Sequence, residues 1–188
     1  MLDFAGTERR EPTMRRLMLL RHAKSDWSRP DLADHDRALN ARGREAAPKI
    51  GTYMARHALH PDLVVVSSAR RARETLDLLL PALKKSPKVI FDPRLYEASP
   101  DTLLSVARET PPAVHTLLVI GHNPGLADFA ALLVAAGDTG GRARLAEKFP
   151  TGALAVIDVP FDAWGKLHAK CGRLDRFVIP RALKGETD

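Results

Sequence analysis

Short apolar runs alternate with longer helix-like segments along most of this chain, and this alternation constrains its fold more than any other feature. Five runs have the length and composition of buried β-strands. Continuous apolar runs are typical of strands covered on both faces, which is the usual environment of a parallel sheet. The predicted strands cover residues 17–20, 63–66, 89–91, 116–120 and 154–159.

Helix-like segments fill the intervals between these strands, at residues 41–56, 71–83, 100–108 and 126–136. A strand–helix–strand order predicts βαβ units and a mostly parallel sheet. We therefore predict an α/β fold, a three-layer α/β/α sandwich around a mostly parallel central sheet. Residues 166–179 fit either a late strand or a hairpin, and both interpretations stay open.

Length and composition limit the kind of protein. A chain of 188 residues with 45% hydrophobic content can bury one good core, so we expect a single domain over residues 14–188. Residues 1–13 are polar and predict a flexible lead-in. Cys171 is the only cysteine, which excludes an intramolecular disulfide and favours a reducing, cytoplasmic location. No window approaches the roughly 18 apolar residues of a membrane span, so we expect no membrane partner.

The formal charge of +6 favours an anionic partner. Nucleic acid fits poorly, because the basic residues are dispersed and aromatic residues make up only 5% of the chain, which leaves few platforms for bases. A basic pocket for a small anion fits as well, and arginine matches the geometry of phosphate.

Basic and imidazole side chains follow three predicted strands at the point where each strand ends. Arg21 and His22 come directly after the first strand, and His122 lies in the sequence GHNPG after the fourth. The second strand is followed by SSARRARET, which supplies three arginines. Because parallel strands end at one edge of a sheet, where α/β folds bind ligands, these side chains can converge on one anion.

Two histidines and two arginines around one point suit the chemistry of a phosphoryl group. Arginine forks can bind its equatorial oxygens while a neutral imidazole nitrogen attacks phosphorus in line and forms a covalent phosphohistidine. A nearby carboxylic acid can protonate an oxygen leaving group and then activate water. Glu97, just after the third strand, is the best candidate for that acid. The scheme requires no metal and no cofactor.

Each of these residues also has a purely structural interpretation. A single histidine at a strand end is more often a hydrogen-bonding group than a catalyst, and Glu97 alone fits a surface position equally well. Two histidines, each beside arginine or small residues, favour function. The polar loop after the first strand either borders the site or only connects it to the next helix, for which Asn40 is the predicted N-cap.

Five motifs occur in the order that the histidine phosphatase superfamily shows, and the chain resembles that superfamily. Within it, the motifs are similar to those of the small bacterial SixA-type phosphohistidine phosphatases. The likeness extends from about Arg15 to Pro180 and implies a phosphoglycerate mutase-like fold. The motifs are RHAKSDW, SSARRARET, LYEASPDTLL, GHNPGL and FPTGALAVI.

The resemblance implies a role for each matched residue. His22 matches the phosphorylated nucleophile, and Arg21 matches a phosphate-binding arginine. The pattern of arginine, alanine, two free positions and threonine makes Arg71, rather than Arg70, the second phosphate ligand. His122 matches the second histidine, which binds the phosphoryl group and stabilises the transition state.

Three positions match the family less closely. Glu97 aligns only loosely with the acid of the mutases. Ala23 replaces the family's glycine after the nucleophile, and an added methyl group restricts the backbone there. Ser25 stands where relatives often carry threonine, and we assign it to substrate binding.

The resemblance implies a phosphatase that forms a covalent phosphohistidine on His22. Its implied substrate is a phosphohistidine on another protein or a small phosphorylated molecule. The chain has no room for the large cap of the acid phosphatases and mutases, so we expect an open pocket. The alternatives are a broad-specificity phosphomonoesterase of the same superfamily, a non-catalytic phosphoprotein-binding module and a mutase. The oligomeric state is left open.

Overall fold

Seven strands form one β-sheet in the computed structural model, which describes residues 14–83 and 85–185. The predicted lead-in over residues 1–13 therefore lies outside the described residues. Across the sheet the strands follow the order β3-β2-β4-β1-β6-β7-β5. They are β1 (Arg15–Arg21), β2 (Leu63–Ser67), β3 (Lys88–Asp92), β4 (Thr116–Gly121), β5 (Val134–Gly137), β6 (Leu154–Val159) and β7 (Gly172–Val178).

The sheet is mostly parallel, as predicted. Strands β1, β2, β3 and β4 run parallel to their neighbours within this group, β5 is parallel to β7, and β6 is antiparallel to both β1 and β7. No helix among the described residues combines the length and apolar character needed to cross a bilayer. The helices are α1 (Ala41–Arg56), α2 (Arg70–Leu79), α3 (Pro100–Arg108), α4 (Gly125–Leu133) and α5 (Thr139–Glu147).

Two hydrophobic cores, one on each face of the sheet, explain why the strands are continuously apolar. Side chains of a strand alternate between faces. Leu17 and Leu19 of β1 pack in the core that contains Phe129 of α4, while Met18 and Leu20 pack in the core that contains Ile50 of α1. These four side chains of β1 are therefore all buried. The predicted three-layer sandwich is confirmed.

The predictions were wrong at the ends of two helices and missed a third helix. The helix predicted over residues 126–136 ends at Leu133, because the next residues leave it to pair with β7 as the edge strand β5. The helix predicted to reach Leu83 ends at Leu79, where Pro81 cannot continue an α-helix and the chain forms a short 3-10 turn. Helix α5 was not predicted, since two adjacent glycines near its start lower its intrinsic helix propensity.

Other local features follow the sequence closely. Helices α1 and α3 begin and end at the predicted residues. The side chain of Asn40 accepts a hydrogen bond from the Gly43 amide, so Asn40 is the predicted N-cap. Of the two interpretations of residues 166–179, the structure takes the late strand, which is β7 and pairs with β6.

Gly125, the last residue of GHNPG, lets the start of α4 approach the loop that carries Tyr96 and Glu97. A Cβ atom built at Gly125 would lie 2.0 Å from the backbone oxygen of Ala98, far inside van der Waals contact. Only glycine therefore allows this approach, which holds the loop after β3 beside the end of β4.

We predict that Gly125→Ala lowers the free energy of unfolding by about 2 kcal/mol, because the added methyl group must displace backbone atoms. Urea unfolding followed by circular dichroism measures this change. Gly165→Ala is the matched control, since a Cβ at Gly165 meets no atom within 4 Å. Equal losses in the two variants would contradict the account of this contact.

Candidate active site

His22 and His122 lie side by side at the carboxyl edge of the sheet. The parallel register of β1 and β4 sets Arg21 opposite Gly121, so the residues that follow leave the sheet together. The two imidazole rings have centroids 5.0 Å apart and are tilted by 51°. Both side chains are buried, although they come from positions exactly one hundred residues apart in the sequence.

Arg71 contacts both imidazole rings from the first turn of α2. Its Nε donates a hydrogen bond to Nε2 of His22 at 3.3 Å. Its Nη2 lies 3.3 Å from Nδ1 of His122 and, as an obligatory donor, donates to that nitrogen. One guanidinium therefore faces an acceptor nitrogen on each ring.

The partners of the remaining ring nitrogens assign opposite tautomers to the two histidines. Nδ1 of His22 lies 2.7 Å from the backbone oxygen of Ala23, which can only accept. The proton of neutral His22 is therefore on Nδ1, and the lone pair is on Nε2. Nε2 of His122 lies 2.8 Å from the hydroxyl of Ser67 and carries the proton of that ring.

Burial keeps both histidines neutral. Removal of the His22 ring from water is the main reason why its pKa falls to about 4; the positive charges of Arg71 and Arg21 lower it further, while the hydrogen bond to Ala23 opposes the shift. The pKa of His122 falls to about 3, again mainly through burial and then through the neighbouring His22 and Arg71. At pH 7 Nε2 of His22 therefore carries a lone pair instead of a proton, and this lone pair accepts the hydrogen bond from Arg71.

Asp34 holds Arg71 in place from the polar loop between β1 and α1. Nη2 of Arg71 donates to Oδ2 of Asp34 at 2.8 Å, and Nη1 donates to its backbone oxygen. The hydroxyl of Tyr96 donates to the same Oδ2 at 2.9 Å. Although partial burial acts in the opposite direction, the hydrogen bonds from Tyr96 and Arg71 lower the pKa of Asp34, which stays ionised. This loop therefore borders the site.

Thr75 ties the backbone after the nucleophile to the helix that carries Arg71. Its Oγ1 accepts from the Ala23 amide at 3.0 Å and donates to the Arg71 carbonyl at 2.7 Å. Ala23 is buried and does not adopt a positive φ, so alanine fits where the family pattern has glycine. The departure from the pattern therefore leaves the backbone beside His22 unstrained.

Arg21 lies at the rim of this cluster. Its Nη1 donates to the Phe149 carbonyl at 2.8 Å, and its charge contributes to the lowered pKa of both histidines. Arg70, in contrast, points to solvent and pairs with Glu74 at 2.8 Å. Arg71 rather than Arg70 is therefore the arginine of α2 that faces the rings.

Glu97 and Ser25 are not joined to the cluster by hydrogen bonds among the described residues. Glu97 is exposed and has a left-handed backbone with a φ of 52°. Ser25 is buried, accepts a hydrogen bond from the Trp27 indole and forms an isolated bridge with Leu39. Their roles as acid and substrate ligand stay predictions.

Sequence reasoning did not identify the residues that position the catalytic candidates. Asp34 was one of several acidic residues in a polar loop, and nothing in its spacing singled it out. Tyr96 adjoins Glu97 in LYEAS, and Ser67 opens SSARRARET, so both lay inside motifs already noted. Their contacts to Asp34 and His122 depend on the tertiary structure alone.

Comparison with known proteins assigns the chain to a family. Residues 17–109 match the model of the histidine phosphatase superfamily, branch 1. An uncharacterized protein of Mycobacterium leprae is 36% identical over 166 residues, which span 86% of this chain and 100% of the relative. The chain belongs to the histidine phosphatase superfamily. This superfamily generally comprises phosphate hydrolases and mutases.

Two solved structures show that this chain is similar in fold to SixA proteins. A protein of Nakamurella multipartitia, named as a candidate phosphohistidine phosphatase SixA, superposes with a TM-score of 0.77 at 30% identity, covering 89% of this chain and 96% of that one. Its counterpart from Agrobacterium tumefaciens gives a TM-score of 0.73 at 31% identity, covering 88% and 98%. These matches confirm the phosphoglycerate mutase-like fold.

The lowered pKa of His122 predicts an acid-sensitive fold. The unfolded chain takes up a proton on this histidine near pH 6.5, whereas the folded protein does so only near pH 3, so stability falls as the pH drops through this window. We expect the unfolding free energy of the wild type to fall by roughly 1 to 2 kcal/mol more than that of His122→Gln between pH 7 and pH 5.

Urea titrations at the two pH values measure this difference. His168→Gln is the control, because the ring of His168 is exposed and its removal leaves the wild-type decline in place. A His122→Gln variant with the full wild-type decline would show that His122 protonates normally in the folded protein.

Proposed function

We propose that this histidine phosphatase hydrolyses phosphohistidine on another protein through a covalent phosphohistidine on its own His22. The observation that supports the proposal most strongly is the orientation of His22. Its Nδ1–H donates to the Ala23 carbonyl, and its unprotonated Nε2 accepts a hydrogen bond from the Arg71 guanidinium, which an incoming phosphoryl group would have to replace. A buried imidazole with a fixed tautomer and a cationic neighbour suits attack on an anionic phosphorus centre.

In the first step, Nε2 of His22 attacks the phosphorus atom of the substrate. The new N–P bond forms while the bond from phosphorus to the leaving nitrogen breaks, and the leaving imidazole takes a proton from solvent. Arg71 and Arg21 bind phosphoryl oxygens through the N–H groups and positive charge of their guanidinium groups. His122 lies beside them with no proton on Nδ1, so it can donate to a third oxygen only after it takes up a proton. The developing charge thus meets preorganised donors.

In the second step, water attacks the phosphorus atom of phospho-His22. The N–P bond breaks, inorganic phosphate leaves, and Nε2 recovers its lone pair. The hydrogen bond from Nδ1 to Ala23 keeps the ring in one orientation through both steps. Thr75 fixes the same backbone segment, so His22 and Arg71 keep their relative position while charge builds and is released.

An open site supports a protein substrate. Within the described residues, the connections around the carboxyl edge are loops and short 3-10 turns, and none carries an inserted domain. The longest of them runs between β1 and α1. It contributes Asp34 to the site and contains no inserted domain that would cover it. A phosphohistidine on the surface of a partner protein can reach such a site. The likeness to SixA proteins supports the same substrate class.

We predict that His22→Ala loses at least 1,000-fold in kcat/KM toward both p-nitrophenyl phosphate and a phosphohistidine peptide, because no other group replaces the nucleophile. Mass spectrometry after quenching in alkaline denaturant should detect phosphate on His22 of the wild type. His168→Ala is the control and keeps full activity. Phosphate binding without turnover by the wild type would favour a non-catalytic phosphoprotein-binding module and reject the proposal.

The role of Glu97 predicts a difference between substrate classes. An alkoxide needs a proton to leave, whereas the nitrogen of phosphohistidine leaves readily once solvent has protonated it. We expect Glu97→Gln to lose at least tenfold in kcat for a small alkyl phosphate and less than twofold for a phosphohistidine peptide. Equal losses on both substrates would contradict this distinction. Turnover of esters alone would assign the protein as a phosphomonoesterase.

A further inference from the structure

A wide groove opens beside the catalytic candidates, on the side of Arg21. Its cavity volume is about 840 Å³, within the size range of ligand sites. The end of β1, the first turns of α1, the segment 148–151 and the segment 179–181 form its walls. The groove does not include His22 or His122 among its lining residues, so it is a separate feature of the surface.

Positive charge dominates this groove. Six cationic side chains line it, against the single carboxylate of Glu45. None of the six forms an ion pair with a carboxylate in the described part of the chain. They belong to Arg21, Lys24, Arg42, Lys49, Lys148 and Arg181. Arg21 is assigned above to the phosphoryl group, so the charges of the other five are left for a further ligand.

The distribution of the charges indicates an extended ligand rather than one phosphate. Arg42 and Lys49 lie seven residues apart on α1, which corresponds to about 10 Å along the helix axis. Pro150, Ile179 and Pro180 add apolar surface to the lining of the groove. In the catalytic cluster the donors converge on one point, whereas here they line a path. An extended peptide with several carboxylates matches such a path.

The groove and the nucleophile share a wall. Arg21 lines the groove and directly precedes His22. The backbone amide of Gly152, next to the segment 148–151, lies 3.0 Å from the carbonyl oxygens of both Arg21 and His22. A peptide in the groove would therefore lie next to a phosphoryl group on His22.

We propose that this groove binds an acidic segment of the phosphorylated partner protein and so selects the substrate. The inference rests on the proposed function and adds to it the chemistry of the partner: a phosphohistidine protein with glutamate or aspartate residues close to the phosphorylated site. Exposed charges of this kind steer association and set specificity, and salt screens them.

A binding experiment tests the groove without any turnover. A fluorescein-labelled, unphosphorylated octapeptide with six glutamates is titrated with the full chain at 25 mM salt. We expect Arg42→Glu/Lys49→Glu to weaken binding at least tenfold. The control Lys85→Glu/Lys88→Glu makes the same change in net charge on exposed residues outside the groove and should weaken binding less than twofold. Equal weakening in both pairs, or no binding by the wild type, would overturn the inference.

Competition separates an acidic peptide from other anions. Inorganic tripolyphosphate that displaces the peptide at a lower concentration than unlabelled peptide does would assign the groove to a compact polyphosphate. A single-stranded RNA octamer that binds more tightly and loses its binding in Arg42→Glu/Lys49→Glu would assign it to nucleic acid. Either result overturns the proposal.

A kinetic experiment links the groove to the substrate. Two peptides with one phosphohistidine are compared, one with four flanking glutamates and one with four flanking glutamines. The wild type should prefer the acidic peptide at least tenfold in kcat/KM, and Arg42→Glu/Lys49→Glu should lose this preference while it keeps its rate with p-nitrophenyl phosphate. Equal rates on the two peptides would overturn the inference about the groove and leave the proposed function in place. Failure to cleave either peptide would contradict the proposed function. The binding experiment would still show whether the groove binds an acidic peptide.

Discussion

The contact of one arginine with two neutral imidazoles determines the chemistry available to this protein. The Arg71 guanidinium donates to Nε2 of His22 and to Nδ1 of His122, and neither contact can form if the acceptor nitrogen carries a proton. Burial and positive charge remove those protons by lowering both pKa values below the neutral range. The same environment that makes the histidines poor bases leaves Nε2 of His22 unprotonated beside a cationic guanidinium.

The fold brings these three side chains together through the pairing of its strands. Parallel pairing of β1 with β4 delivers the two histidines to the same edge, and β2 delivers Arg71 next to them through the start of α2. Asp34 then satisfies the outer nitrogens of the guanidinium, because a buried arginine without an anionic partner would be strongly destabilising. The polar loop after β1 thus has a structural reason to cross the site.

The sequence predicts the central part of this arrangement well. Runs such as LVVV and TLLVI predict covered strands in a chain with helix-like segments between them, and parallel strands end at the same edge of a sheet. The polar residues after those strands are therefore placed by topology alone. Arg71 is distinguished from Arg70 by one position in a motif, and the structure has Arg70 on the solvent side of α2 beside Glu74.

Features that depend on long-range pairing could not be read from the sequence. Residues 134–136 continue an apolar helical pattern, and only the presence of β7 turns them into an edge strand. The partnership of Asp34 with Arg71 and Tyr96 joins three distant segments that carry no shared pattern. Glu97 itself has a left-handed backbone conformation, which sets the position of its side chain and which the neighbouring residues do not predict. Local rules therefore locate the candidate reacting groups, whereas tertiary contacts locate the groups that orient them.

The protonation state of His22 tests the account most directly. Long-range proton–nitrogen NMR spectra of protein labelled with ¹⁵N-histidine report the tautomer and the pKa of each ring, and His22→Gln assigns the signal. The account predicts a neutral ring with its proton on Nδ1 at pH 7 and a pKa below about 5. A proton on Nε2, or a pKa near the ordinary value of about 6.5, would contradict it.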